Sequence, residues 1–73
     1  MTEPLDLRGL KCPLPALMAR RALARVAPGR MIEVVADDPL AGIDIPHMCR
    51  QEGYEIVSSA RDGATVRLTL RRP

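Results

Sequence analysis

Phenylalanine and tryptophan are absent and Tyr54 is the lone aromatic, so any core must be built from Leu, Ile, Val, Met and Ala packed in two tight layers. The same gap removes the stacking platform with which many nucleic-acid binders hold unpaired bases. Cysteine is scarce: Cys12 and Cys49 alone are too few for a disulfide scaffold. No apolar run approaches the ~20 residues that span a bilayer, and the N-terminus shows no apolar core followed by a cleavage site. The expectation is a cytoplasmic protein with reduced thiols. A dominant charge sign is missing too, since 11 basic and 9 acidic residues leave a net +2, which by itself supports no nucleic-acid role. The 73 residues are read as one domain, 1–73, of a size that buries only about 60% of its unfolded surface. Function must therefore be presented at the surface.

What is present is patterned. Leu5 to Arg8 alternates apolar and polar residues before Gly9, a weak β signal. From Pro13 to about Ala27, Leu14, Leu17, Met18, Ala22 and Val26 recur at helical spacing, with Arg20, Arg21 and Arg25 largely off that stripe. This predicts an amphipathic helix with the stripe inward, closed by Pro28-Gly29. Met31 to Ala36 reads as a β-branched strand and Asp37-Asp38-Pro39 as a turn. Asp44-Ile45-Pro46 resembles a second helix start, Asp44 capping and Pro46 in the first turn, with the helix running to about Glu52 before Gly53. Residues 40 to 44 read as a preceding turn. Tyr54 to Ala60 and Thr65 to Arg71 are strands around Asp62-Gly63, a hairpin dipeptide.

Val66, Leu68 and Leu70 alternate with Arg67, Thr69 and Arg71, giving one apolar and one wet face. The predicted order is βαβαββ: an α+β, two-layer α/β sandwich with a four-stranded mixed sheet and two helices on one face. Right-handed crossovers start each helix at the carboxyl end of its preceding strand, the edge where open α/β sheets place function. Cys12 and the Asp37-Asp38 turn would share that edge.

Cys12 lies in Gly9-Leu10-Lys11-Cys12-Pro13-Leu14-Pro15. Proline suits the first helical position, which makes Cys12 the expected N-cap. Its sulfur would then face unpaired N–H groups and the positive end of the helix dipole, which draw a thiol from about 8.5 towards neutral. Lys11 and Arg8 add positive charge, and Pro13 and Pro15 stiffen the turn. A lone cysteine is ordinarily an inert core residue, and the prolines alone signify only helix initiation. The loop-to-helix junction is what argues for an accessible nucleophile.

Cys49 shares a helical stripe with Ile45 and Met48, which assigns it to the core. Helices pack ~8–10 Å apart and Cys49 lies about five residues beyond its helix start. A Cys12 to Cys49 disulfide, which needs Cα atoms within about 7 Å, is not expected. Arg20, Arg21 and Arg25 read as a solvated helix face complementing the dipole, with a second reading as a partner-docking surface, Arg20 above all. His47 has no metal-ligand spacing around it, so no metal site is expected.

Leu10-Lys11-Cys12-Pro13-Leu14-Pro15, together with Ala36-Asp37-Asp38-Pro39 and Asp44-Ile45-Pro46, resembles the TusA/SirA family of sulfur carrier proteins over about Leu5 to Arg71. The resemblance implies that Cys12 accepts sulfane sulfur from a cysteine desulfurase as a persulfide. It would pass that sulfur to a downstream sulfurtransferase or thiolation protein, in tRNA thiolation, molybdenum-cofactor chemistry or sulfur oxidation. It also gives Asp38 a docking role beside Cys12, with Lys11, Pro13 and Pro15 supporting the thiol. The exchange needs only thiolate, leaving group and access; no cofactor is called for, and the protein would be a co-substrate of sulfur relay rather than a stand-alone enzyme. Many family members carry Glu at the position of Leu14, a departure that bears on donor and acceptor.

Two other classes compete. A βαβαββ fold also resembles the carboxyl-terminal domain of a bacterial translation initiation factor, and Arg67 and Arg71 on the exposed sheet face motivate an RNA-binding or regulatory reading. Near-neutral charge and the missing aromatics oppose it. A thiol redox sensor would instead form a Cys12 to Cys49 disulfide on mild oxidation.

Overall fold

Alternation along the last strand sets the frame of the molecule. The computed structural model describes residues 4–73, and within them Val66, Leu68 and Leu70 are buried while Arg67 and Arg71 are exposed. Their strand, β4 (Thr65–Arg71), is central in a sheet ordered β1-β2-β4-β3. It pairs antiparallel with β2 (Met31–Ala36) and β3 (Glu55–Asp62), while β1 (Leu5–Asp6) runs parallel to β2. The register sets Ile32 opposite Leu70, Val34 opposite Leu68 and Ala36 opposite Val66, and these apolar pairs form the floor of the core. Helices α1 (Leu14–Arg25) and α2 (Ala41–Glu52) pack on that floor and on each other. The architecture is thus the expected βαβαββ two-layer sandwich.

β1 is shorter than the predicted Leu5 to Arg8. The Asp6 carboxylate accepts both the Arg8 N–H, at 3.1 Å, and the Arg8 guanidinium, at 2.9 Å, and this side-chain turn takes the donor a continuing ladder would need. Leu7 still donates to the Val35 carbonyl at 2.7 Å and is buried.

α1 corrects two expectations. Pro13 itself holds the cap position, so the helix begins at Leu14 and Cys12 stands one residue outside it. Only the far end of the predicted stripe turns inward: Ala22 and Val26 are half-buried against the core, but Pro15, Ala16, Ala19 and Leu23 form the buried face, whereas Leu14, Leu17 and Met18 remain 46%, 43% and 36% exposed. Ala16 and Ala19 are small enough to let the α1 backbone come close to the sheet and to α2, and Leu23 fills the space beyond them. At the far end Val26 is extended and the chain runs on to Ala27-Pro28, where the residue before a proline is steered out of helical conformation. The Arg72 guanidinium takes the Ala24 and Val26 carbonyls, at 3.2 and 2.7 Å, which the helix end leaves without partners.

α2 starts three residues before the predicted Asp44. The Asp38 side chain accepts the Leu40 N–H at 3.1 Å and its carbonyl accepts the Ala41 N–H at 3.0 Å, so the acidic turn launches the helix. Asp44 lies in its first turn without capping it, and Pro46 falls inside it. Gly53, with φ 78°, closes α2 as predicted, and Tyr54 donates back to the Cys49 carbonyl at 2.8 Å, a Schellman-type closure. The β3–β4 hairpin turns on Gly63-Ala64, with the positive φ of 61° at Gly63. Glycine at the first of two turn residues suits a type II′ turn.

Candidate functional site

Parallel β1 and β2 end at the same sheet edge, so the loops that follow them are neighbours. The Gly9 N–H donates to Asp37 Oδ1 at 2.9 Å, stitching the loop that carries Lys11 and Cys12 to the turn that launches α2. Cys12 is exposed, on the rim of this edge, and Asp38 and Asp44 are half-buried beside it.

The electrostatics at Cys12 have the opposite sign to the sequence expectation. The thiol is pushed above its ordinary value, first by the Asp44 carboxylate, then by lost solvation and by the negative charge of Asp38. The donors meant to favour the thiolate are fewer than the sequence suggests. Leu14 gives its N–H to the Lys11 carbonyl at 2.8 Å and Leu17 gives its own to the Pro13 carbonyl at 3.2 Å, while Pro13 and Pro15 have none. Nor is Arg8 free to attend the sulfur, because it holds Asp6 in a two-pronged pair that draws that carboxyl down to about 2.

Cys49 is fully buried, and burial pushes its thiol up as well. A buried sulfur and an exposed one make a poor pair for a redox sensor. His47 is exposed, and among the described residues no group of three His, Cys, Asp or Glu side chains could hold a metal. Arg67 and Arg71, the reason for an RNA-binding reading, are each tied to a carboxylate across the open face: Arg67 to Glu33 and Arg71 to Glu55.

Two features of the site go beyond what the sequence pattern assigns to it. Asp44 reads in sequence as a helix cap, although its place just beyond the β2–α2 turn, at the edge shared with Cys12, is the available signal. The second is the outward face of α1: Leu14, Leu17, Met18 and Arg20 line a groove that ends at Glu52 and Tyr54. It begins two residues from the thiol. Arg20 reaches Glu52 at 3.4 Å, with both side chains largely exposed. Of the predicted site residues, Lys11 and Pro13 are the chain neighbours of Cys12, Pro15 is buried in the first turn of α1, Asp38 bears on the thiol through its charge, and Arg20 lies about two helical turns along α1.

Among the described residues no helix is long and apolar enough to cross a membrane. The sequence model of a family described as sulfurtransferase TusA matches residues 3–72. A solved structure of a SirA-like protein from Desulfitobacterium hafniense superposes with a TM-score of 0.80 at 24% identity, covering 93% of each chain. At that identity the likeness speaks for the fold.

Proposed function

We propose, from the premise that this chain belongs to the sulfurtransferase TusA family, that Cys12 carries sulfane sulfur as a persulfide between a cysteine desulfurase and an acceptor. The observation that carries the reading is an exposed thiol at the head of α1, in a chain matched to that family over nearly its whole length. A Cys12 thiolate attacks the terminal sulfur of the donor persulfide; a new S–S bond forms, the donor's S–S bond breaks, and the electron pair leaves with the donor thiolate. The acceptor repeats the exchange on Cys12. No net oxidation occurs, and the protein acts as a co-substrate.

Lys11, Pro13 and Pro15 hold the sulfur at the rim in this reading, and residues 1–73 act as a single sulfur carrier domain, of which 1–3 lie outside the described residues. Arg20 and Asp38 contact partners: Arg20 within the α1 groove, whose exposed Leu14, Leu17 and Met18 suit a partner's apolar surface, and Asp38 beside the sulfur. The acceptor is a sulfurtransferase or thiolation protein serving tRNA thiolation, molybdenum-cofactor chemistry or sulfur oxidation in the cytoplasm.

Incubation with a cysteine desulfurase and L-cysteine, followed by intact mass measurement, tests the proposal. A one-sulfur adduct is expected on the wild type and on Cys49→Ser, and none on Cys12→Ser. An unchanged wild-type mass with several desulfurases overturns it.

A further inference from the structure

The sheet has two edges, and they are finished differently. β1 forms one with only 2 residues, ended by the turn in which Asp6 takes Arg8. β3 forms the other with 8 residues, Glu55–Asp62, every side chain but Ile56 exposed. Its inner side bonds to β4, and among the described residues no other stretch of backbone bonds to its outer side. Long edges are ordinarily guarded by charge, proline, a bulge or a covering segment. Here the guard is the irregularity at Val57, and beyond it Ser58-Ser59-Ala60 has neither charge nor proline. Arg61 pairs with inward-facing Val66 and so lies on the helix side. Its guanidinium is drawn away from the edge, with Nη2 standing 3.0 Å from where a Cβ on Gly42 of α2 would be.

The hairpin shows which backbone groups are free. Asp62 and Thr65 flank a two-residue turn and exchange both backbone bonds, and the pattern alternates from there. Asp62, Ala60 and Ser58 therefore turn their N–H and C=O groups towards β4, while Arg61 and Ser59 turn theirs outward.

We propose that this edge pairs with a second copy of the chain, β3 against β3 and antiparallel, about a two-fold axis at Ala60 that continues the sheet through both molecules. A two-fold axis perpendicular to the sheet runs each strand opposite to its copy, and outward groups must meet outward groups. Centring on Arg61 sets two arginines directly opposite each other, which destabilises a strand pair. Centring on Ser59, or nearer the start of β3, runs the irregular Val57 into the seam. Centring on Ala60 places Ser59 opposite Arg61, Ser58 opposite Asp62 and alanine opposite alanine. Both Ser59–Arg61 pairs then exchange backbone bonds, each Ser58 hydroxyl has the copy's Asp62 carboxylate as acceptor, and no like charges stand face to face. The seam is short, so the dimer is weak and reversible. Cys12 follows β1, at the opposite edge of the sheet; the pairing leaves both thiols open and is independent of the carrier reading.

Sedimentation velocity from micromolar to millimolar protein tests the proposal. The wild type is expected to shift reversibly from monomer to dimer. Ala60→Glu brings two carboxylates together at the axis, although within one chain it faces Arg67. Ser59→Pro removes an outward N–H and leaves the bonds to β4 in place. Each raises the dissociation constant about tenfold or more, with little change in thermal midpoint. A crosslink reports the register without either variant. In a Cys12→Ser background, with Cys49 buried, Ala60→Cys is expected to give a disulfide-linked dimer on mild oxidation, because Cα atoms facing each other at that axis lie about 4.5 Å apart. Asp62→Cys in the same background stays monomeric. A wild type that remains monomeric at millimolar concentration overturns the proposal. So does a dimer that either variant leaves unweakened, or a crosslink that forms with Asp62→Cys rather than with Ala60→Cys.

Discussion

At Cys12 the acid carried by α2 and by the turn before it opposes the helix terminus. The terminus acts through partial charges on N–H groups, an effect that falls off within a turn and contributes about 0.3–1 kcal/mol when exposed, and here the prolines and the Lys11 and Pro13 carbonyls have reduced those donors. Asp44 and Asp38 act with full charges, and both push the thiol upward. Residues that join the loops matter for the same reason. Asp37→Ala removes the acceptor of the Gly9 N–H and is expected to cost about 0.5–1.5 kcal/mol, read by urea denaturation. The loss should be accompanied by faster amide exchange at Gly9. Exchange left unchanged would mean that the bond does not stitch the two loops in solution. The motif residues themselves, Lys11-Cys12-Pro13-Leu14-Pro15, are legible as a thiol at a helix start; the field around them is not, because it comes from another helix.

At the scale of elements, α1 shows why a periodic pattern is ambiguous. Two stripes run along it at helical spacing: Leu14, Leu17 and Met18 on one, Pro15, Ala19 and Leu23 on the other. Hydrophobicity favours the first, whereas close approach to the sheet favours the second, and the buried face is the second. Leu23→Ala should therefore cost about 2–5 kcal/mol, while Leu17→Gln stays within about 0.5 kcal/mol of wild type; comparison of the two denaturation midpoints decides between the faces. The Leu17 variant should also load more slowly from the desulfurase if the groove is the docking surface. The α2 start, Ala41, lies four residues ahead of the Ile45 that a cap at Asp44 implies, because the turn in which Asp38 accepts the Leu40 N–H leads straight into the helix, with no side chain capping it. At the far end of α1, Arg72 closes the helix through the Ala24 and Val26 carbonyls, so Arg72→Ala is expected to fray the last turn and lower stability by about 1 kcal/mol, seen as lost exchange protection near Arg25.

The whole molecule is a two-layer sandwich with two dissimilar faces. One carries the helices and, at their head, the thiol; the other is a wet sheet surface where Arg67 and Arg71 meet Glu33 and Glu55. Exposed pairs of this kind contribute about 0–1 kcal/mol each, so their effect is to balance charge rather than to stabilise the fold. Binding of single-stranded RNA, measured at low salt, should be weak and unchanged by Arg67→Gln; strong salt-dependent binding lost in that variant would reinstate a nucleic-acid role. Element order, the hairpin, the burial of Cys49 and the place of Cys12 at a strand-to-helix junction were determined by the sequence alone, because alternation, helical spacing and turn residues are local properties of the chain. Which face of α1 turns inward and which charges reach Cys12 were decided only by the tertiary structure. Each depends on groups distant in sequence whose volumes and charges combine once parallel β1 and β2 bring their following loops to one edge.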